Sequence, residues 1–328
     1  MKKVYLLSSL VLATVAASAA GPDTRYKAPR TGDRQPDLQG VWNFSSDVTL
    51  ERPAKFAEKK IATREQIDQQ RRAKENALKM IGTFAPVEDI GVTLLDHTSH
   101  VEDLRTSLIT YPENGRLPKL VEGVTRAAGA EQIIEALSDL QGGLPPELSA
   151  FLAPQSHDSY QNFSAAERCF IGAPSAPFIP DLDGNYVLII QSKSSIAFLS
   201  DTDRRIAPLD GRPALSGRLR TWSGDARARW EGDTLVVETR NFNNRTRSFS
   251  GAGFSASKVV TERFTRRSPK VLDYEATVVD PATFVDKVVI AFPMALVDGN
   301  VYENACHEHN YSLANALSAA RKEEQGKR

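Results

Sequence analysis

Histidine and cysteine are scarce in this chain of 328 residues, which holds five of the first and two of the second. The cysteines form no Cys-x-x-Cys, and the chain has no Gly-x-x-x-x-Gly-Lys loop, no Gly-x-Gly-x-x-Gly turn, no Gly-x-Ser-x-Gly elbow and no His-Glu-x-x-His. Those absences argue against nucleotide hydrolysis and cofactor-dependent redox chemistry, whose phosphates and metals need such loops and ligand spacings. Charge of one sign is missing too: 41 Lys+Arg stand against 41 Asp+Glu. A nucleic-acid binder would need a net basic surface or stripe to meet phosphates, so that class is set aside. With Gly 20, Pro 18 and a single long apolar run, collagen-like, mucin-like, disordered and multi-span membrane classes are excluded as well.

That one apolar run opens the chain. Met1-Lys2-Lys3 is a short positive segment, Val4 to Ala16 is apolar, and Ala17-Ser18-Ala19 has the small-x-small form of a signal-peptidase site. Residues 1–19 are expected to be removed after Ala19 during bacterial Sec export, the run being short and Ala-rich for a permanent anchor. Without Lys2 and Lys3 the positive count falls from 41 to 39, so the mature chain is slightly acidic and is expected in the periplasm. In that oxidising compartment Cys169 and Cys306 read as a staple, worth about 4–5 kcal/mol in the chain-entropy account of so long a loop. The alternative, a Cys306 nucleophile beside His307, is weaker because neighbours on a strand point to opposite faces.

Residues 20–36 are polar and aperiodic and read as a flexible arm before a single domain over 37–328. Leu38, Trp42 and Phe44 share one parity with Gly40 between them, as in a strand entering a closed sheet. A helical excursion over 53–155 follows, with Thr63 and Gln66 spaced as a capping box and short helices expected over 119–141 and 146–152. It is interrupted by a short strand at Arg105 to Ile109. From Tyr186 the pattern turns to half-apolar strands and tight turns, including Ala226–Glu231 and Thr234–Arg240 around Gly232-Asp233. Further strands are expected at 204–208, 218–222, 258–267, 271–280, 285–294 and 300–306, and a closing helix at 311–324. Regular hairpins of this kind predict an α+β protein built on an antiparallel β-barrel, and the resemblance of Gly40-Val41-Trp42 to a lipocalin opening implies a lipocalin-like one.

Gly40-Val41-Trp42 resembles the Gly-x-Trp opening of lipocalin and other calycin barrels, although the helical excursion departs from a lipocalin. A wider resemblance rests on Pro36-Asp37-Leu38-Gln39-Gly40-Val41-Trp42, Arg105-Thr106-Ser107-Leu108-Ile109, Glu167-Arg168-Cys169 and Pro208-Leu209-Asp210-Gly211-Arg212-Pro213. It continues in Arg229-Trp230-Glu231-Gly232-Asp233-Thr234-Leu235-Val236-Val237 and Tyr302-Glu303-Asn304-Ala305-Cys306-His307-Glu308-His309-Asn310-Tyr311. These blocks are similar to a largely uncharacterised exported bacterial family, which implies the compartment and the fold but no chemistry. His309 stands where that family usually has glycine.

Four of the five histidines form two close pairs, His97/His100 and His307/His309. On an extended strand, Glu303, His307 and His309 would share one face while Tyr302, Cys306 and Glu308 share the other. The leading reading makes His307 a proton-transfer residue, oriented by Glu303 or Glu308, with Asp225 and Arg227 positioning the polar end of a substrate. Trp42, Tyr302, Arg105 and His100 would line the substrate, a small hydrophobic and aromatic molecule, and the chemistry would be of lyase or isomerase type without a cofactor. Its alternatives are a non-catalytic carrier or scavenger, a divalent metal held by His97, His100, His307 and His309, and a purely structural strand end. Arg229 and the Glu167-Arg168 pair read as structural, the latter shaping the surroundings of Cys169. Partners are confined to a small molecule, with no nucleic acid and no integral membrane association.

Overall fold

The computed structural model describes residues 26–84, 99–126, 159, 160, 163, 168, 169, 176–180, 184–245, 248–303, 305–308 and 310–326, the side chains of 77–84 and 312 excepted. The expected export signal, the start of the expected arm, His97, Glu167, His309 and the expected helices beyond residue 126 lie outside these described residues.

Alternation of apolar and polar residues builds the sheet. On β9 (Val271–Val279) Leu272, Tyr274, Ala276 and Val278 are buried, and on β10 (Val288–Val297) Val288, Ile290, Phe292 and Met294 are. With a side-chain period of two, one face of each strand is committed to the interior. The same holds for β1 (Gly40–Asn43), β3 (Tyr186–Gln191), β4 (Ser195–Leu199), β5 (Arg204–Pro208), β6 (Asp225–Glu231), β7 (Thr234–Arg240) and β8 (Val259–Ser268). Their order is β5-β4-β3-β1-β10-β9-β8-β7-β6, every ladder antiparallel, and the terminal strands β5 and β6 lie against each other to close a barrel lacking one ladder.

One strand explains how a helical excursion interrupts the barrel without breaking it. β10 pairs β9 along one edge, and its other edge is shared by β1 opposite Ala295–Val297 and β2 (Ile109–Tyr111) opposite Val289 and Ile290. The chain leaves that edge after β1 and returns to it at β2. Between them α1 (Arg64–Phe84) begins at the expected capping box: Gln66 N–H donates to Thr63 Oγ1 at 3.2 Å and Thr63 N–H donates to Gln66 Oε1 at 3.0 Å. Only a thin stripe of α1 is apolar, with Ile67 packing on Phe56 and Ala62. Polar contacts complete the docking, Gln70 donating to Asp47 O and Arg71 pairing with the Asp47 carboxylate at 3.0 Å.

At the β1 end the expected parity holds, with Leu38, Trp42 and Phe44 all buried. Gly40 sits at φ +130°, a backbone conformation that favours glycine, and its lack of a Cβ leaves room for Leu296 Cδ1, 2.6 Å from where that atom would stand. The indole N–H of Trp42 donates to Leu38 O at 2.8 Å, and the Arg266 guanidinium covers its ring at 5.6 Å while donating to Asp37 O.

Several local expectations are corrected. Described residues 300–303 and 305–308 contain no strand, and 306–308 form a turn, because both edges of β10 are already paired and the chain turns away at Asp298-Gly299. Residues 218–222 contribute a single bridge, Thr221 to Phe242, and Arg105 bridges Ile61 so that β2 begins only at Ile109. The helix expected from Lys119 is not formed over 119–126, where Leu120 bridges Phe284 and Arg126 bridges Ala252. α2 (Ser312–Gly326) follows the turn and turns Leu313, Ala316, Leu317 and Ala320 partly inward.

Cys169 and Cys306 are joined in a disulfide, with Cα atoms 5.7 Å apart and a sequence separation of 137. Asn310 Nδ2 donates to Cys169 Sγ at 3.2 Å, so the bridge ties the segment before β3 to the segment before α2. Reducing this bond, or replacing both cysteines by serine, is expected to lower unfolding stability by up to about 4–5 kcal/mol, read from urea denaturation with and without reductant.

Candidate functional site

The residues singled out in the sequence divide by location. His307 and Glu308 are exposed on the 306–308 turn, and Tyr302 is 76% exposed. Glu303 pairs with Arg204 at 3.1 Å, both side chains largely in solvent. With no strand there, the shared face of Glu303 and His307 does not form. His100 is exposed on the bend after residue 98. Arg105 is held by Asp103 beside Asp273 on the outer face of β9, so it does not reach the interior. Asp225 and Arg227 pair with each other, but their remaining bonds go to the backbone: Leu215 N–H donates to Asp225 at 2.7 Å and Arg227 donates to Pro213 O at 3.1 Å. They clamp the 213–215 segment onto β6. Arg229 and Arg263 share Glu231 on the outer surface, and Trp42 is fully buried at the closed end. Among the described residues no three His, Cys, Asp or Glu side chains are grouped to hold a metal ion.

What the fold brings together instead lies inside the barrel. On β5 the inward parity falls on Arg205 and Ala207, leaving Arg204 and Ile206 outside, with Ile206 65% exposed. On β8 it falls on Val260, Glu262 and Phe264, and on β9 on Tyr274. Arg205 grips Glu262 through both terminal nitrogens, its Nη2 donating to Glu262 Oε1 at 3.0 Å, and its Nη1 also donates to Thr239 Oγ1 at 3.4 Å. Tyr274 completes the carboxylate shell by donating its hydroxyl to Glu262 Oε1 at 2.9 Å. Such a two-pronged, charge-assisted pair offsets its desolvation best when further polar groups join it, as Tyr274 and Thr239 do here.

Aromatic rings surround this polar centre. The guanidinium of Arg205 lies 4.9 Å from the Phe198 ring centroid and 5.1 Å from that of Phe178, a cation–π arrangement strengthened by exclusion of water. Phe178 does not belong to the sheet: residues 176–180 carry it in from outside the ladder. Its ring lies 5.4 Å from Phe44, 5.9 Å from Phe198, 5.7 Å from Tyr274 and 6.2 Å from Phe264, and its N–H donates to Tyr274 Oη at 2.8 Å.

Burial and charge set the protonation of the cluster. Burial pushes the Tyr274 phenol well above its ordinary range, and the Glu262 carboxylate adds to this, so Tyr274 acts as a hydrogen-bond donor. Burial would depress Arg205, but the Glu262 charge and its hydrogen bonds more than offset it and keep the guanidinium protonated. Burial also raises Asp203, which shares the parity of Arg205 and accepts from Ser223 Oγ at 3.2 Å and from Arg204 N–H at 2.8 Å. At the far end of the β8 row Lys258 is 8% exposed, and burial lowers its ammonium to about 8, with Asp280 opposing the change.

Arg205, Glu262 and Tyr274 were not among the residues expected to carry function. A signal existed for Glu262, a lone carboxylate on the apolar parity of Val260-x-x-x-Phe264. None existed for Arg205, because Arg204-Arg205-Ile206-Ala207 offers an arginine and an apolar residue on each face. The chain matches no family model, no curated protein and no solved structure.

Removing one partner of the buried pair strands the other. Glu262→Gln is expected to lower stability by about 3–5 kcal/mol in urea denaturation, whereas the double change Arg205→Met with Glu262→Leu should be milder than the single one. Lys258 sets a separate pH dependence: its folded value near 8 lies below the unfolded 10.5, so the unfolded chain binds more protons between them and stability rises with pH across that window. Relative to Lys258→Met, the protein is expected to gain about 3 kcal/mol between pH 7 and pH 10.5 in paired denaturation curves.

Proposed function

We propose that this protein is an exported, periplasmic barrel that binds a small aromatic molecule and works as a carrier or scavenger. The observation that carries the reading is the seat of Phe178: a ring delivered from outside the sheet, boxed by Phe44, Phe198, Phe264 and Tyr274, stacked on Arg205 and hydrogen-bonded to Tyr274 Oη. A ligand with an aromatic ring and one hydrogen-bond donor meets the same demands and takes that seat in exchange for Phe178. Few polar groups converging in an apolar, aromatic surround are the usual make-up of a small-molecule site.

The interior chemistry favours holding over converting. Tyr274 is kept protonated, and the Glu262 carboxylate is already engaged by Arg205 and Tyr274, so neither is poised to move a proton at neutral pH. His307, the proton-transfer residue of the acid–base reading, stands exposed on its turn and adds no support to it. Export is supported by the Lys2-Lys3 segment, the apolar run and Ala17-Ser18-Ala19, and the Cys169–Cys306 bridge suits an oxidising compartment. The reading requires no cofactor.

Exchange at the seat makes a measurable prediction. Because the Phe178 ring competes with the ligand, Phe178→Ala is expected to bind simple aromatics such as benzyl alcohol at least about tenfold more tightly than the unmodified protein. Titrations followed by tryptophan fluorescence and by thermal shift check this, with circular dichroism confirming that the variant is folded. Equal affinity in both proteins, or no saturable binding in either, overturns the reading.

A further inference from the structure

The inward row of β8 ends on a charge. Two residues before Val260, Lys258 is buried on the same parity, beside Phe242 of the apolar core. The Lys258 Nζ lies 4.2 Å from the Phe242 ring centroid. Among the described residues it has no hydrogen-bond acceptor and no ion pair, although the side chain is more than nine-tenths buried. An ammonium on a side chain buried to this extent gives up part of its hydration, and a ring face does not supply the three acceptors it can use.

The surrounding charges leave the deficit uncompensated. Arg220 is a second cation near by, donating to Phe242 O at 3.2 Å and Ala256 O at 2.5 Å. Asp280, at the end of β9, is the nearby carboxylate, but its oxygens accept from Ser248 and Ser255 at 2.6 Å each and from Ser257 at 3.2 Å. On the neighbouring strands Glu238 pairs with Arg240, and Asp225 pairs with Arg227. Asp280 therefore acts on Lys258 through space without contacting it, and among the described residues the ammonium has no anion at hydrogen-bond distance.

We propose that Lys258 receives the carboxylate of a small aromatic acid, making the preferred ligand of the barrel an organic anion rather than a neutral aromatic. The proposal rests on the binding reading above, that the barrel takes a small aromatic molecule, and adds a place beside Phe242 where an acid is held. In the complex the carboxylate supplies the acceptor that Lys258 lacks, and Phe242 packs against the apolar part of the acid. Burial leaves the ammonium titrating near 8 in the free protein, and an anion beside it raises that value, so binding takes up protons around pH 8.

Benzoate and benzyl alcohol, an acid and a neutral aromatic, separate the possibilities when titrated into the protein and Lys258→Met at pH 7 and about pH 10. Lys258→Met keeps the apolar stem and removes the charge, and its fold is confirmed by circular dichroism. Benzoate is expected to bind the unmodified protein at pH 7 and to weaken at least about tenfold both at pH 10 and in Lys258→Met, while benzyl alcohol changes little. Isotope-edited NMR of the Lys258 ammonium should show its titration midpoint moving upward when benzoate saturates the site. Benzoate binding that is indifferent to Lys258 overturns the proposal, as does inorganic phosphate binding as well as benzoate. Benzyl alcohol binding without any preference for benzoate overturns this proposal alone and leaves the aromatic carrier standing. Failure of both probes to bind overturns the two together.

Discussion

The contact on which this barrel depends joins Arg205 on the terminal strand β5 to Glu262 on β8. Every other neighbouring pair of strands in the barrel is held by a backbone ladder, whereas β5 and β6 meet without one. A salt bridge reaching through the interior from β5 to β8, two strands beyond that seam, ties the strand without a second ladder to the far side of the sheet. Burying both charges is costly, and the geometry answers with two prongs from the guanidinium, a hydroxyl from Tyr274 and two flanking rings. Since each of those partners comes from a different strand or loop, the pair can form only when the sheet has already curled. It therefore favours the closed barrel over open arrangements of the same strands.

Around that centre the interior is filled by the protein's own aromatic side chains. Phe178 holds the middle position, touching Phe44, Phe198, Phe264 and Tyr274, and it enters from a segment that follows the disulfide-linked Cys169. A ring that belongs to no strand, yet sits among rings from β4, β8 and β9, links the fold to the binding reading. The same construction explains why the polar groups inside the barrel differ in availability. Glu262 and Tyr274 are bonded to each other, while Lys258 at the end of the same row has no acceptor among the described residues.

Much of the scaffold was legible residue by residue. Period-two burial on β8, β9 and β10, the two-residue turn at Gly232-Asp233, the Thr63/Gln66 capping box and the place of Gly40 between Leu38 and Trp42 all follow from local rules of chain geometry. Residues 300–306 were misread because their alternation is compatible with a strand, and pairing edges are a property of the whole sheet. The prominence of His307 and Glu303 came from that misreading, since a shared face requires an extended backbone that the 306–308 turn does not provide. Ile206 shows the same limit from the other side: its hydrophobicity points inward, and it is Arg205 that goes in.

Sequence alone determined the alternation that makes a curled antiparallel sheet, the helix start at Thr63 and the glycine that β10 must pass, because each depends on neighbours within a few residues. It also set the pair of cysteines that end up bridged across 137 residues, since the chain contains no others. Only the tertiary structure decided which of two adjacent arginines is buried, which phenylalanine fills the centre and which lysine is left without an acceptor. Those choices turn on partners far apart in the chain, Arg205 with Glu262, Phe178 with Tyr274 and Lys258 with Phe242, and on the desolvation each group undergoes when the sheet closes around it.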